Sequence, residues 1–89
     1  MFEIISKIIE KSKTKKVDIG VAYEMIATEE GRTDELKEGF EFFRREYTVI
    51  TTLNRNGNVE ELKKVCELAN EKEALAEYIE ELKEKEIIE

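Results

Sequence analysis

Two glutamates stand among apolar residues, where their carboxyl groups could transfer protons or bind a metal. Glu24 interrupts the apolar segment 17–27, and Glu46 lies within an apolar stripe between residues 36 and 53. A carboxyl group withdrawn from water has a raised pKa, and two of them facing a helical core could share a metal ion. Such metal-binding bundles normally supply His as well, and this chain has none. We therefore favour a simpler interpretation, in which each carboxylate lies at a rim or pairs with a Lys or Arg across an interface.

The remaining residue types exclude most recognisable active sites. The chain has a single Cys and no His, which leaves only oxygen-ligand metal sites and no histidine-based triad. The four Gly stand singly, so the sequence contains no glycine-rich phosphate loop. Cys66 shares a helical stripe with Leu62, Val65 and Ala69, which indicates a buried structural thiol. We predict no enzymatic activity, no cofactor and no metal site.

Four lysines near the N-terminus form a cationic cluster that could contact an anion: Lys11, Lys13, Lys15 and Lys16. Residues 1–16 carry five Lys and two Glu, a net charge of +3, so residues 17–89 carry −10 of the total of −7. The cluster could touch nucleic-acid phosphates, but no aromatic residues are interleaved for base stacking and the acidic body repels nucleic acid. Nucleic-acid binding is therefore possible but not favoured. The acidic body could instead mimic nucleic acid and occupy a basic groove on a partner.

Composition indicates a single small domain over residues 1–89. A chain of this length buries a modest fraction of its surface and is often helped by self-association, so a homodimer is a reasonable expectation. The 20 Glu and 11 Lys, with no Gln, are typical of a thermophile protein, and the lone Cys fits a reducing, cytoplasmic compartment. No apolar run approaches the length of a membrane span.

Apolar periodicity predicts that the first half of the chain is helical. Residues 1–9 place their apolar side chains within one arc of a helix. Residues 17–27 are apolar almost all round and end near Gly31, which favours a helix, although the alternation over 17–23 also fits a strand. Thr33 is a suitable N-cap for a third helix. Its apolar residues stay on one arc up to residue 53, so we predict one long helix, with a strand over 47–53 as the alternative.

The second half of the chain predicts a turn over residues 54–58 and further helices after it. Asn58 resembles the start of a capping box for a helix through residue 69, and Asn70 repeats that signal for a final helix. The tail after Lys85 is expected to fray. The fold class is therefore predicted as all-α, a small bundle of four to five helices; the alternative is α+β with short strands near 17–23 and 47–53.

The apolar arcs are wider than one neighbouring helix would cover, which points to protein association. The residues predicted to form an interface with a second copy or another protein are Phe42, Val49, Leu75, Ile79 and Leu82. The sequence thus predicts a small acidic helical interaction module that self-associates. The alternative is a nucleic-acid-related regulator, acting through the lysines of 11–16 or by mimicry.

Overall fold

The computed structural model describes residues 1–89 and contains six helices and no strand. The all-α prediction is confirmed, although the count is six rather than four to five. Helices occupy both segments for which strands were the alternative, so the α+β alternative is wrong. The helices are α1 (Phe2–Lys15), α2 (Ile19–Glu30), α3 (Asp34–Arg45), α4 (Tyr47–Arg55), α5 (Val59–Glu67) and α6 (Lys72–Glu84). None of them is both long enough and apolar enough to cross a membrane.

The helices fall into two compact units of three. Unit 1 consists of Met1 and Glu3–Arg44, and unit 2 consists of Phe2 and Arg45–Glu89. Unit 1 therefore holds α2, all of α1 except its first residue and all of α3 except its last residue, Arg45, while unit 2 holds α4, α5 and α6. The single domain over residues 1–89 stays a prediction.

Two of the predicted helix boundaries in unit 1 are confirmed by their hydrogen bonds. The Thr33 hydroxyl accepts from the Leu36 backbone N–H at 3.1 Å and so caps α3. Gly31 ends α2 with φ of 99°, a conformation that residues with a Cβ rarely adopt. At the other end of α2, the Asp18 carboxylate accepts from the Val21 N–H at 2.9 Å. Both ends of α2 are thus set by local chemistry.

Helix α1 contacts both other helices of unit 1. Ion pairs join it to α2, from Lys7 to Glu30 at 2.9 Å and from Lys11 to Glu29 at 3.0 Å. It also approaches α3 closely where Gly39 is buried. The buried apolar residues of unit 1 are Ile5, Ile8, Ala22, Ile26, Ala27, Leu36, Phe42 and Phe43.

The predicted long helix over residues 36–53 is wrong, because the chain leaves helical geometry at Glu46 (φ −108°, ψ 30°). On one continuous helix, Glu46 would lie in the middle of the arc formed by the buried residues Phe42, Phe43, Ile50 and Leu53. Burying an unpaired carboxylate is costly. The interruption leaves Glu46 half-buried instead. The five β-branched residues that follow, 48–52, propagate a helix weakly and make a break there less costly.

In unit 2, α5 contacts both α4 and α6. Helix α6 starts at Lys72 after Glu71, two residues beyond the signal seen at Asn70. It ends in a left-handed turn at Glu86 (φ 58°), where the Ile87 N–H donates to the Leu82 carbonyl at 2.9 Å. That turn brings Ile88 to a buried position with 7% exposure.

The prediction that the tail frays after Lys85 is therefore wrong. An apolar side chain only two residues beyond the turn anchors the segment. The buried apolar residues of unit 2 are Ile50, Leu53, Leu62, Val65, Cys66, Ala69, Leu75, Leu82 and Ile88.

We expect Gly39→Ala to destabilise the protein. A Cβ at position 39 would lie 2.5 Å from Cγ2 and 3.2 Å from Cβ of Ile4 on α1. Ala alone would favour the helix by about 1 kcal/mol, but overpacking of a rigid contact costs about 1–3 kcal/mol. Urea unfolding should show a net loss of about 1 kcal/mol. In an Ile4→Ala background the loss should largely disappear, whereas in an Ile9→Ala background it should remain; equal losses in both backgrounds would contradict this packing account.

Candidate interaction surface

Glu24 is exposed, so the buried-carboxylate hypothesis is wrong for this residue. Its side chain is 56% exposed, and the Arg32 guanidinium donates to its carboxylate at 2.7 Å. That hydrogen bond holds the pKa of Glu24 below its ordinary value, which is the opposite of what a general acid at neutral pH requires. Arg32 follows α2 in the same chain, so this ion pair is local, and a pair across an interface stays a prediction. Glu24 is exposed because Ala22, Ile26 and Ala27 occupy the buried face of α2.

Glu46 does not provide a second buried carboxylate. It is half-buried, and it belongs to unit 2 whereas Glu24 belongs to unit 1. Nowhere in the chain do three or more Cys, Asp or Glu side chains form a group that could hold a metal.

The N-terminal lysines divide into one paired residue and three exposed ones. Lys11 is half-buried and paired with Glu29 on α2. Lys13, Lys15 and Lys16 are exposed, and the first two lie in the last turn of α1, where positive charge is favourable to the helix dipole. Of the four lysines predicted to contact an anion, three are therefore exposed.

Three of the five predicted interface residues are already covered within the chain. Phe42, Leu75 and Leu82 are 2%, 5% and 2% exposed, so they belong to the core and offer little of their surface to a partner. Periodicity identified the apolar faces of their helices correctly but could not show that the chain's own helices cover them. Val49 and Ile79 are half-buried, and each lines a groove on unit 2.

Ile79 lies in a groove of about 450 Å³ along α6, which we call the α6 groove. Its floor is apolar and its rim carries charges of both signs. The lining residues are Ala69, Leu75, Ala76 and Ile79 on the floor and Arg45, Glu46, Lys72 and Glu80 at the rim. The interruption at Glu46 places two of the rim residues, Arg45 and Glu46, at the junction of α3 and α4. A surface with this pattern suits a helix presenting small or aliphatic side chains.

Val49 lies in a second groove of about 590 Å³, between α4 and the C-terminal segment 86–89. Thr48 and Thr52 of α4 and Asn56 contribute polar groups to it, while Ile87 and Ile88 contribute apolar ones. This groove is more polar than the α6 groove. It offers less apolar area to a partner.

Sequence reasoning missed most of the α6 groove. Ala76 is exposed and lies three residues before Ile79, so the two share a face beside the buried stripe of α6. Lys72 and Glu80 lie four residues on either side of Ala76. Only the spacing of Ala76 and Ile79 could have signalled this surface, and a lone alanine among charged residues is a weak signal.

Cys66 is buried, with 2% exposure, as its helical stripe predicted. Burial raises the pKa of its thiol to about 11. A thiol that stays protonated at neutral pH is a poor nucleophile. Its environment thus suits a packing role in α5.

We expect weak retention of the protein on immobilised DNA. Because Lys7 and Lys11 are paired, Lys13, Lys15 and Lys16 are the N-terminal lysines that can displace counterions. If DNA is bound through them, the logarithm of affinity should fall against log salt with a slope no steeper than about −3. Chromatography at several salt concentrations measures this slope. Replacing the three lysines by Ala should abolish retention, while Lys64→Ala on α5 should leave it unchanged; a steeper slope would contradict this assignment of the cationic groups.

We expect Cys66 to react slowly with a thiol reagent at pH 8 and rapidly after unfolding. The thiol ionises near 9.0 in an unfolded chain and near 11 in the folded one. Its contribution to stability is therefore complete below pH 9 and is lost as the pH rises to about 11. Urea unfolding of the wild type should show a larger fall over this range than unfolding of Cys66→Ala. Equal falls would show that the thiol does not titrate as described.

The chain matches no protein-family model, no curated protein and no solved structure.

Proposed function

We propose that the protein is a small acidic helical interaction module that self-associates through the α6 groove and has no catalytic role. The observation that carries this proposal is the groove itself, whose apolar floor the chain's own helices leave partly open to solvent. Exposure of Ala76 and partial exposure of Ile79 make this floor accessible. Apolar surface in a groove of this kind gains about 25 cal/mol for each Å² that a partner removes from water.

The core supports this assignment because it is complete without a partner. Phe43, Ile50, Leu53 and Val65 are each 0% exposed, and no buried side-chain polar atom lacks a hydrogen-bond partner. Association is therefore not required to finish the fold. It can serve as a reversible function of the folded chain.

The charges at the rim favour a second copy as the occupant. Arg45 and Lys72 are cationic and Glu46 and Glu80 are anionic, so the rim has no net charge although the chain carries −7. A surface that carries both signs can be complementary to itself across a two-fold axis. Most of the remaining surface is acidic, and two copies would repel each other there.

A nucleic-acid-related regulator is the second candidate. The observation that favours it is the charge of residues 71–89, where eight Glu and three Lys give −5. Such a surface could imitate a phosphate backbone and occupy a basic groove. Binding to a DNA-binding protein that DNA itself competes away would support mimicry.

We expect Ala76→Glu to weaken self-association without unfolding the protein. Ala76 is exposed, so the monomer tolerates the larger side chain, but in a dimer it places a charge over the apolar floor. Sedimentation equilibrium over a wide concentration range should show dissociation at least about tenfold weaker. Thr28→Glu, on an exposed position of α2, adds the same charge in unit 1 and should leave the dimer intact. A wild type that stays monomeric throughout would overturn the proposal.

A further inference from the structure

We infer, on the basis of the proposed function, that α6 packs antiparallel to α6 of a second copy about a two-fold axis at Ala76. In this arrangement Lys72 of each copy pairs with Glu80 of the other. The inference specifies the occupant of the α6 groove and its register. It rests on the spacing, size and charge of three exposed residues of one helix.

The three residues lie on one face of α6. Lys72, Ala76 and Glu80 follow each other at intervals of four, and each is exposed. Successive members of an i, i+4 series lie about 6 Å apart along the axis and nearly in line. Lys72 and Glu80 both belong to the rim of the α6 groove, and Ala76 belongs to its floor. The series therefore runs along the groove.

Equal spacing about Ala76 makes the series complementary to itself in one orientation. A two-fold axis that passes beside Ala76, perpendicular to α6, places position 72 of one copy opposite position 80 of the other. The cation of each chain then faces the anion of the other, and two ion pairs form. Parallel packing would place Lys72 against Lys72 and Glu80 against Glu80, which is repulsive. The charges of Lys72 and Glu80 thus favour the antiparallel arrangement over the parallel one.

The residue at the centre permits a close approach. The Ala76 side chain is a single methyl group, so two α6 helices can pack at the short end of the usual range of interaxial distances, about 8–10 Å. Ile79 lies one residue before Glu80, and in this register it faces Ala76 and the methylene chain of Lys72 in the second copy. The apolar floor is covered from both sides of the axis.

The partners needed for the two ion pairs are available. Lys72 forms no ion pair within its own chain. Glu80 is 69% exposed and pairs only with Lys83, at 3.6 Å. A long i,i+3 contact of this kind is weak and leaves carboxylate lone pairs for a second cation. Formation of the dimer therefore breaks no strong interaction in the monomer.

A contact between two single helices is smaller than the roughly 1,200–2,000 Å² of a stable interface. The dimer is therefore concentration-dependent. Because its two ion pairs lie at an exposed rim, salt also weakens it. These properties define the experiment that tests the register.

The experiment is a charge exchange measured by sedimentation equilibrium. Lys72→Glu alone makes carboxylates face each other at both ends of the contact, and Glu80→Lys alone makes ammonium groups face each other there. Each variant by itself should therefore dimerise about tenfold more weakly than the wild type. An equimolar mixture of the two variants should restore association, because every facing pair is again of opposite sign. The double variant Lys72→Glu/Glu80→Lys should also recover wild-type association.

Matched controls carry the same charge changes away from the groove. Lys64→Glu on α5 and Glu38→Lys on α3 should leave the association constant within about threefold of the wild type. Circular dichroism confirms that each variant folds. Neither control should respond to mixing with the other.

The outcomes separate the register from the proposed function. Dimerisation of the wild type with rescue in the mixture supports the register. Dimerisation that the single variants do not weaken, or that mixing does not rescue, overturns the register and leaves self-association intact. A wild type that is monomeric throughout overturns both.

Discussion

Glu46 is the one non-helical residue between α3 and α4, and much of the structure depends on the break there. A single helix through this position would bury a carboxylate without a partner, whereas the break leaves it half-buried. The break also lies next to the boundary between the two units, at Arg44 and Arg45. It supplies two charged residues to the rim of the α6 groove. The cost of burying the Glu46 carboxylate thus accounts both for the division into α3 and α4 and for part of the candidate surface.

Short helices make the chain dependent on packing. Helices α4 and α5 have nine residues each, well below the length at which an isolated helix is stable in water. Their stability comes from side chains such as Ile50 and Val65, which are fully buried. The apolar faces are therefore used mainly inside the monomer. On α6, only the margin beside the buried stripe remains for another chain, which is why the floor of the α6 groove exposes mainly Ala76 and part of Ile79.

Helix boundaries that depend on a single residue could be predicted from the sequence. Which element covers each apolar helix face could not. Thr33 and Gly31 set their helix boundaries through hydrogen bonds and backbone conformation that depend on the residue itself. The burial of Cys66 followed from its stripe. Phe42 was placed at an interface because periodicity shows which face is apolar but not which element covers it. The helix break escaped prediction because the desolvation cost of one carboxylate outweighed an otherwise continuous pattern.

Each unit consists of consecutive helices with short connections, and this arrangement determines whether folding or association comes first. Contacts close in sequence form without closing long loops, and helical proteins of this kind fold in microseconds to milliseconds. Two chains at about 1 μM, associating at about 10⁵–10⁷ M⁻¹s⁻¹, meet only on the scale of roughly 0.1–10 s. Each chain therefore completes its fold long before it meets a second copy. The proposed self-association would thus act on finished monomers, and protein concentration, rather than folding, would set how much of the protein is paired.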